Sequence, residues 1–305
     1  MGQYSIGVDL GGTNLRAAAI SSSGDVIAKI SGAAHLSQGR AAVLEDMVDS
    51  IKKLRSECGT HDLMGVGIGV PGFIIIEKGI IVGSNNLPDF EGVPIRDEIE
   101  KLLGARVVLE NDANAAAVGE KWMGAGKGVN DLVLLTLGTG IGGGIISGGK
   151  LIRGFVGMGG ELGHITVVPN GNPCGCGNRG CLEKHASATA ISAMARLTQL
   201  GHDLSAAQVY DLAVGGNEKA KAIFEAMGEY LGIALAMLVN TFNFPLYLLS
   251  GGPLPAWDYF APTMFAEVKR RSFTYRNTET HIERATLGNE AGLFGAAYLG
   301  LEPAS

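Results

Sequence analysis

Short apolar blocks separated by glycine turns open the chain. Ser5-Ile6-Gly7-Val8-Asp9-Leu10 reads as a buried strand, Gly11-Gly12-Thr13-Asn14 as a turn and Leu15-Arg16-Ala17-Ala18-Ala19-Ile20 as the returning strand. With the turn Ser21-Ser22-Ser23-Gly24-Asp25 they predict a β-meander. Residues 41–55 repeat apolar positions at helical spacing, through Val43, Leu44, Met47, Val48, Ile51 and Leu54. A strand follows over Val66–Val70, ending in Pro71-Gly72; then come a short helix over 95–103, a strand over Val107–Leu109 and an alanine-rich helix over 113–122. Asp131–Leu137, the glycine turn 138–144 and Ile145-Ile146 repeat the layout of residues 5–20, an internal duplication that predicts two domains built alike and facing each other. Helical patterns over 187–198, 205–213, 217–242, 256–271 and 292–299, with a strand at 245–250, complete an α/β alternation.

Composition narrows the class. The chain has 305 residues, of which 47 are glycine, about twice the usual ~7%. The glycines cluster beside apolar runs without a collagen period, and hydrophobic residues make up 46%. Disorder is thereby excluded, and turns that bring backbone close to a ligand are indicated. The net charge of −6 and the lack of a basic block argue against nucleic acid as partner. No leader pattern and no uninterrupted apolar stretch of about 18 residues are found. The expectation is a soluble, cytoplasmic protein away from the membrane.

Two glycine loops carry candidate chemistry. Gly138, Gly140 and Gly143 match the dinucleotide fingerprint, but Gly144-Ile145-Ile146-Ser147-Gly148-Gly149 cannot open the helix that the fingerprint requires. Strand, glycine turn and strand, occurring twice, suit a phosphate held between hairpin turns by backbone N–H groups and threonine hydroxyls; two ordinary hairpins are the alternative. Asp9, at a strand end, either caps the next turn or faces phosphate-bound Mg²⁺ through water. Asp112 directly precedes a helix, where it can cap the helix or, ionised in the positive field there, act as a base. Glu161 and His164 stand three apart among glycines, and the apolar residues 165–168 after them predict a turn entering a strand. Cys174, Cys176 and Cys181 lie within eight residues, with His164 ten upstream; three cysteines and a histidine form a closed tetrahedral zinc set. Cys58 reads as an ordinary thiol.

Asp9-Leu10-Gly11-Gly12-Thr13-Asn14 resembles the first phosphate motif of sugar kinases with the actin/hexokinase-type fold. Glu110-Asn111-Asp112-Ala113-Asn114-Ala115, Gly138–Gly143, Gly160-Glu161-Leu162-Gly163-His164 and Cys174–Glu183 narrow the resemblance to the ROK family (repressors, open reading frames, kinases), from residue 6 to about 300. Within it the chain is most similar to bacterial glucokinases. The resemblance implies a duplicated, two-lobed α/β fold of ribonuclease H-like type with a cleft between lobes. The small lobe would comprise residues 1–120 and 290–305, and the large lobe residues 121–289.

The resemblance also assigns roles. Asp112 would be the base for the attacking sugar hydroxyl, with Asn86, Asn111, Glu161, His164 and Glu183 as further sugar contacts. Asp9, Gly11, Gly12, Thr13 and Asn14 would hold ATP and Mg²⁺ together with Gly138, Thr139 and Gly140, while Gly251 and Gly252 resemble the adenosine-side motif. His164, Cys174, Cys176 and Cys181 would bind a structural Zn²⁺. The implied activity is ATP-dependent phosphorylation of the 6-hydroxyl of D-glucose. Other hexoses (N-acetylmannosamine, N-acetylglucosamine, fructose, mannose, allose), polyphosphate as donor, and a sugar-sensing regulator are alternatives. Such regulators carry an N-terminal helix-turn-helix domain, for which the start of the phosphate motif by residue 9 leaves no room. A dimer or tetramer of identical chains is implied.

Overall fold

The computed structural model describes residues 2–12, 14–84 and 87–303, the side chain of Pro88 apart. Thr13 and Asn86, assigned above to nucleotide and sugar, lie outside the described residues, as does Asn85. In chain order come β1 (Gln3–Leu10), β2 (Asn14–Ser21), β3 (Val26–Ala33), α1 (Arg40–Glu57), β4 (Asp62–Val70), β5 (Phe73–Ile75), β6 (Ile80–Gly83), α2 (Ile95–Leu103), β7 (Val107–Asn111) and α3 (Asp112–Met123). Then follow β8 (Leu132–Leu137), β9 (Ile141–Ser147), β10 (Lys150–Leu151), α4 (Glu183–Ala186), α5 (Ala188–Leu197), α6 (Ala206–Val214), α7 (Glu218–Phe242), β11 (Leu246–Gly251), α8 (Trp257–Arg271), β12 (His281–Arg284) and α9 (Ala291–Leu301).

Two five-stranded sheets repeat one plan. The first has the order β3-β2-β1-β4-β7, with β1, β2 and β3 antiparallel and β1, β4 and β7 parallel. The second has the order β10-β9-β8-β11-β12, with β8, β11 and β12 parallel. The duplication in the sequence is therefore a duplication of topology. By its contacts the chain divides into two compact units, the first holding Met1–Asn130, Gly144–Gly160 and Thr286–Ser305, the second Asp131–Gly143 and Glu161–Ala285.

In the first unit, α1 and α2 cover one face of the sheet. Val43, Met47, Ile51 and Leu54 of α1 join Ile6, Val8, Ile68 and Leu109 of the strands in one buried cluster. On α9, which packs on β1 and β4, small residues replace bulk. A Cβ at Gly67 would overlap the carbonyl oxygen of Ala296, and one at Gly295 would overlap that of Ala115 on α3. Part of the glycine excess thus serves backbone-to-backbone packing rather than ligand loops.

In the second unit α7 is the central helix and packs along α8, burying Ile223, Phe224, Met227 and Leu231. By length and composition α7 could cross a membrane, but 67% of its most apolar window is buried inside the protein. Its apolarity is that of a core helix. Ser205 and Gln208 start α6 with a reciprocal capping box.

The structure departs from the expected pattern in several places. The glycine turn expected over 138–144 is shorter, because Ile141–Gly144 already pair as the start of β9, and the short strands β5, β6 and β10 were not expected. The exposed strand β3 and the short strand β12 were not expected; both are sheet edges, where the alternation of buried positions is weak. Residues 165–168 form no strand: the amides of Val167 and Val168 both donate to the carbonyl of Gly180, at 2.8 and 3.2 Å, which folds them onto the cysteine loop. The predicted helix 187–198 is preceded by the separate turn of helix α4, because Ser187, extended at φ −80° and ψ 168°, caps α5.

Candidate active site and metal centre

In the first unit the candidate residues gather at the carboxyl ends of parallel strands, where open α/β sheets bind ligands. Asp9 is the penultimate residue of β1, directly across the ladder from Arg16 on β2. The guanidinium of Arg16 pairs with the Asp9 carboxylate through Nη2 and donates from Nη1 to the carbonyl of Asn289 at 2.6 Å. Burial pushes the Asp9 carboxyl above the ordinary range, and Arg16 opposes that shift. The turn between the strands is closed by Gly11 N–H donating to Asn14 O at 2.9 Å. Gly11, Asn14, Arg16, Ser31, Gly32 and Asn289 line a cavity of about 600 Å³. Its backbone groups and guanidinium suit an anionic ligand.

At the end of β7 the chain enters α3 without a loop. Asn111 holds extended dihedrals, φ −63° and ψ 144°, and its Oδ1 accepts from the amides of Ala113 and Asn114 at 2.9 and 3.1 Å. Asn111 therefore caps the helix, which corrects the alternative that Asp112 does so. Asp112 is the first helical residue, its Oδ1 accepting from Ala113 N at 2.8 Å. Asn111 Nδ2 also donates to the carbonyl of Gly72 at 3.3 Å.

Glu110 was given no role by the sequence. Its side chain is buried, and it pairs with Arg153 at 2.6 Å. A charged residue closing the apolar run Val107-Val108-Leu109 was the available signal.

The second unit collects the other glycine loop, two carboxylates and the cysteines. Past β8 the turn closes with Gly138 N–H donating to Gly140 O at 2.9 Å. The loop is held from behind: Ala188 N donates to Gly138 O at 2.9 Å and Thr189 Oγ1 to Thr139 O at 2.7 Å. Glu183 Oε2 accepts from Ile141 N at 3.2 Å. A Cβ at Gly140 would overlap that same carboxylate oxygen, so any side chain there would displace Glu183 from Ile141. Gly251 ends β11 opposite Leu137 of β8, and Gly252 follows with open space around it.

Glu161 directly precedes a single 3-10 turn, Leu162–His164, that brings His164 back beside it, with Nε2 3.8 Å from Glu161 Oε2. Burial pushes the Glu161 carboxyl up; His164 opposes the shift and Glu183 adds to it. The other ring nitrogen of His164, Nδ1, lies 3.6 Å from Cys174 Sγ, and Cys176 Sγ lies 3.7 Å from Cys181 Sγ. The four donor atoms all fall within 4.8 Å of one another. Tetrahedral zinc with bonds of about 2.3 Å to sulfur and about 2.0 Å to nitrogen separates sulfur pairs by about 3.8 Å and sulfur–nitrogen pairs by about 3.5 Å. The donor set fits zinc in kind and in spacing. Bonding through Nδ1 would leave Nε2 facing Glu161, a carboxylate–histidine–metal relay.

Thus Asp9, Gly11, Gly12, Asn14, Asn111 and Asp112 belong to the first unit. Gly138, Thr139, Gly140, Glu161, His164, the three cysteines, Glu183, Gly251 and Gly252 belong to the second.

Comparison with known proteins follows the same residues. The family described as the ROK family matches residues 5–302. The glucokinase of Thermotoga maritima is 37% identical, over 96% of this chain and 95% of its own. Among solved structures, the ROK hexokinase from Thermus thermophilus superposes with a TM-score of 0.88 at 34% identity, covering 97% of this chain and 98% of that one. A ROK family glucokinase from Streptomyces griseus, in complex with glucose and AMPPNP, superposes with a TM-score of 0.80 at 32% identity over 97% and 98% of the two chains.

Proposed function

Because the chain belongs to the ROK family and its relatives make it a sugar kinase, we propose that it is a glucokinase, transferring the γ-phosphoryl group of ATP to the 6-hydroxyl of D-glucose. The observation that carries this reading is Glu161 beside His164, itself one of a Cys3His set, with Glu183 two residues past the last cysteine of that set, in a chain that also presents Asp112 at a helix start. Several carboxylates at one place suit a polyol, since each accepts hydrogen bonds from adjacent hydroxyls and is left unpaired by an analogue lacking one.

Phosphoryl transfer asks the protein chiefly for positioning and charge stabilisation. Asp112 accepts the proton of the 6-hydroxyl as its oxygen bonds to the γ-phosphorus. The bond from that phosphorus to the bridging oxygen breaks, and ADP leaves. Asn111, Glu161, His164 and Glu183 orient the sugar, and Asn86 belongs to the same reading. The turns at Gly11–Asn14 and Gly138–Gly140 offer N–H groups to phosphate, and Gly251 and Gly252 flank the adenosine. Mg²⁺, bound with ATP and facing Asp9, would neutralise phosphate charge. Zn²⁺ on His164, Cys174, Cys176 and Cys181 would be structural, fixing the loop that leads into Glu183 at the start of α4. The reading is of a cytoplasmic enzyme assembled from identical chains.

A coupled ADP-release assay across a hexose panel tests the substrate. Glucose should give the highest kcat/KM. A higher value for N-acetylmannosamine or N-acetylglucosamine would overturn the glucose assignment while leaving the kinase intact.

A further inference from the structure

Glu110 is 1% exposed, and its carboxylate reaches the start of α3 on one side and one arginine on the other. Oε1 accepts from the backbone N–H of Asn111 at 3.0 Å and from the side-chain amide of Asn114, also at 3.0 Å. Oε2 accepts from Nε of Arg153 at 2.6 Å. Arg153 is in turn fixed through its own backbone, where its carbonyl accepts from Gly159 N at 2.8 Å and closes the segment 153–159.

Asn111 and Asn114 are the two residues that define the first turn of α3: one caps it, and the other donates its amide to the cap. Asp112 lies between them. A buried carboxylate without its cation is costly, so the arrangement at Glu110 persists only while Arg153 neutralises it. We propose that Glu110 and Arg153 are positioning residues for phosphoryl transfer, a buried carboxylate paired with a partly exposed guanidinium that fixes the Asn111–Asn114 turn and with it the direction in which Asp112 presents its carboxylate. Neither need touch sugar or nucleotide. The proposal rests on the reading of Asp112 as base.

A small displacement of a reacting group costs rate rather than binding, on the order of 10²-fold for about 1 Å. Arg153→Met should therefore lower kcat by about ten- to a hundredfold, with KM for ATP changed by less than about threefold and KM for sugar, which Asn111 also orients, rising by less than kcat falls. Arg153→Lys, which keeps the charge, should recover part of the loss. Glu110→Gln, nearly isosteric, keeps an acceptor for Asn111 but loses the charge, and should fall between wild type and Arg153→Met. Rates are taken per folded molecule, with folding followed by thermal melting. Hydrogen exchange at the Asn111 amide gives an activity-free readout, and it should accelerate in both Arg153→Met and Glu110→Gln.

Folded Arg153→Met and Glu110→Gln proteins with kcat within about twofold of wild type would overturn the proposal; so would KM rising as steeply as kcat falls. A wild-type protein that phosphorylates no sugar would defeat the functional reading instead. Unchanged exchange at Asn111 would then defeat the positioning claim independently.

Discussion

Glu183 Oε2 lies 3.2 Å from the amide nitrogen of Ile141, so the residue two positions past Cys181 braces the turn that follows β8. Ala188 and Thr189 add hydrogen bonds to Gly138 and Thr139 from the same side. The cysteine loop thus runs directly into the support of a glycine loop. Sequence proximity tied the metal set only to Glu161 and Glu183; the fold ties it also to the glycine turn after β8.

Metal removal is accordingly expected to weaken both substrates. Elemental analysis should find one zinc per chain, and Cys176→Ser or exhaustive chelation should lower the melting temperature. KM should rise for sugar and for ATP together. Metal-free protein with unchanged kinetics would separate the cluster from the site.

Capping and catalysis are assigned to adjacent residues, so they can be separated by mutation. Asp112→Asn should lower kcat by on the order of 10²–10⁴ with sugar affinity and melting temperature near wild type. Asn111→Ala removes the acceptor for two helix amides and should cost about 0.5–2 kcal/mol in urea denaturation. A severe loss of folding in Asp112→Asn would count against its role as base.

Glu120 on α3 is fully buried and accepts from the amides of Ala125 at 2.9 Å, Thr286 at 3.2 Å and Leu287 at 2.7 Å. Glu120→Ala strands these donors, each worth about 1–3 kcal/mol when left unpaired. Chemical denaturation should show a loss of several kcal/mol on that basis. Glu120→Gln, which keeps one acceptor oxygen, should lose less.

Two glycine substitutions should differ in kind. At Gly67 a Cβ meets the backbone of Ala296, which cannot yield without moving α9; at Gly140 it meets the mobile end of Glu183. Gly67→Ala should lower the melting temperature strongly. Gly140→Ala should leave it closer to wild type and raise KM, by pushing Glu183 off Ile141. Equal thermal losses would mean that Glu183 is as rigid as backbone.

Much of the molecule is written locally. The alternation and turn chemistry of residues 5–20, the helical spacing of residues 41–55 and the cysteine spacing depend on neighbours in sequence, because strand period, helix period and metal reach are short-range properties. The two glycine turns and the repeat of their layout followed from the same local signals, and the repeated sheet order has the same plan. What the tertiary structure alone decided are the pairings across distance. Glu110 meets Arg153 43 positions away, Glu120 meets Leu287 167 positions away, and residues 165–168 bond to the cysteine loop instead of forming a strand. No periodicity announces such pairs. A buried charge or an unpaired amide can be satisfied by any partner of the right chemistry, and only the packed backbone determines which one comes within hydrogen-bond reach.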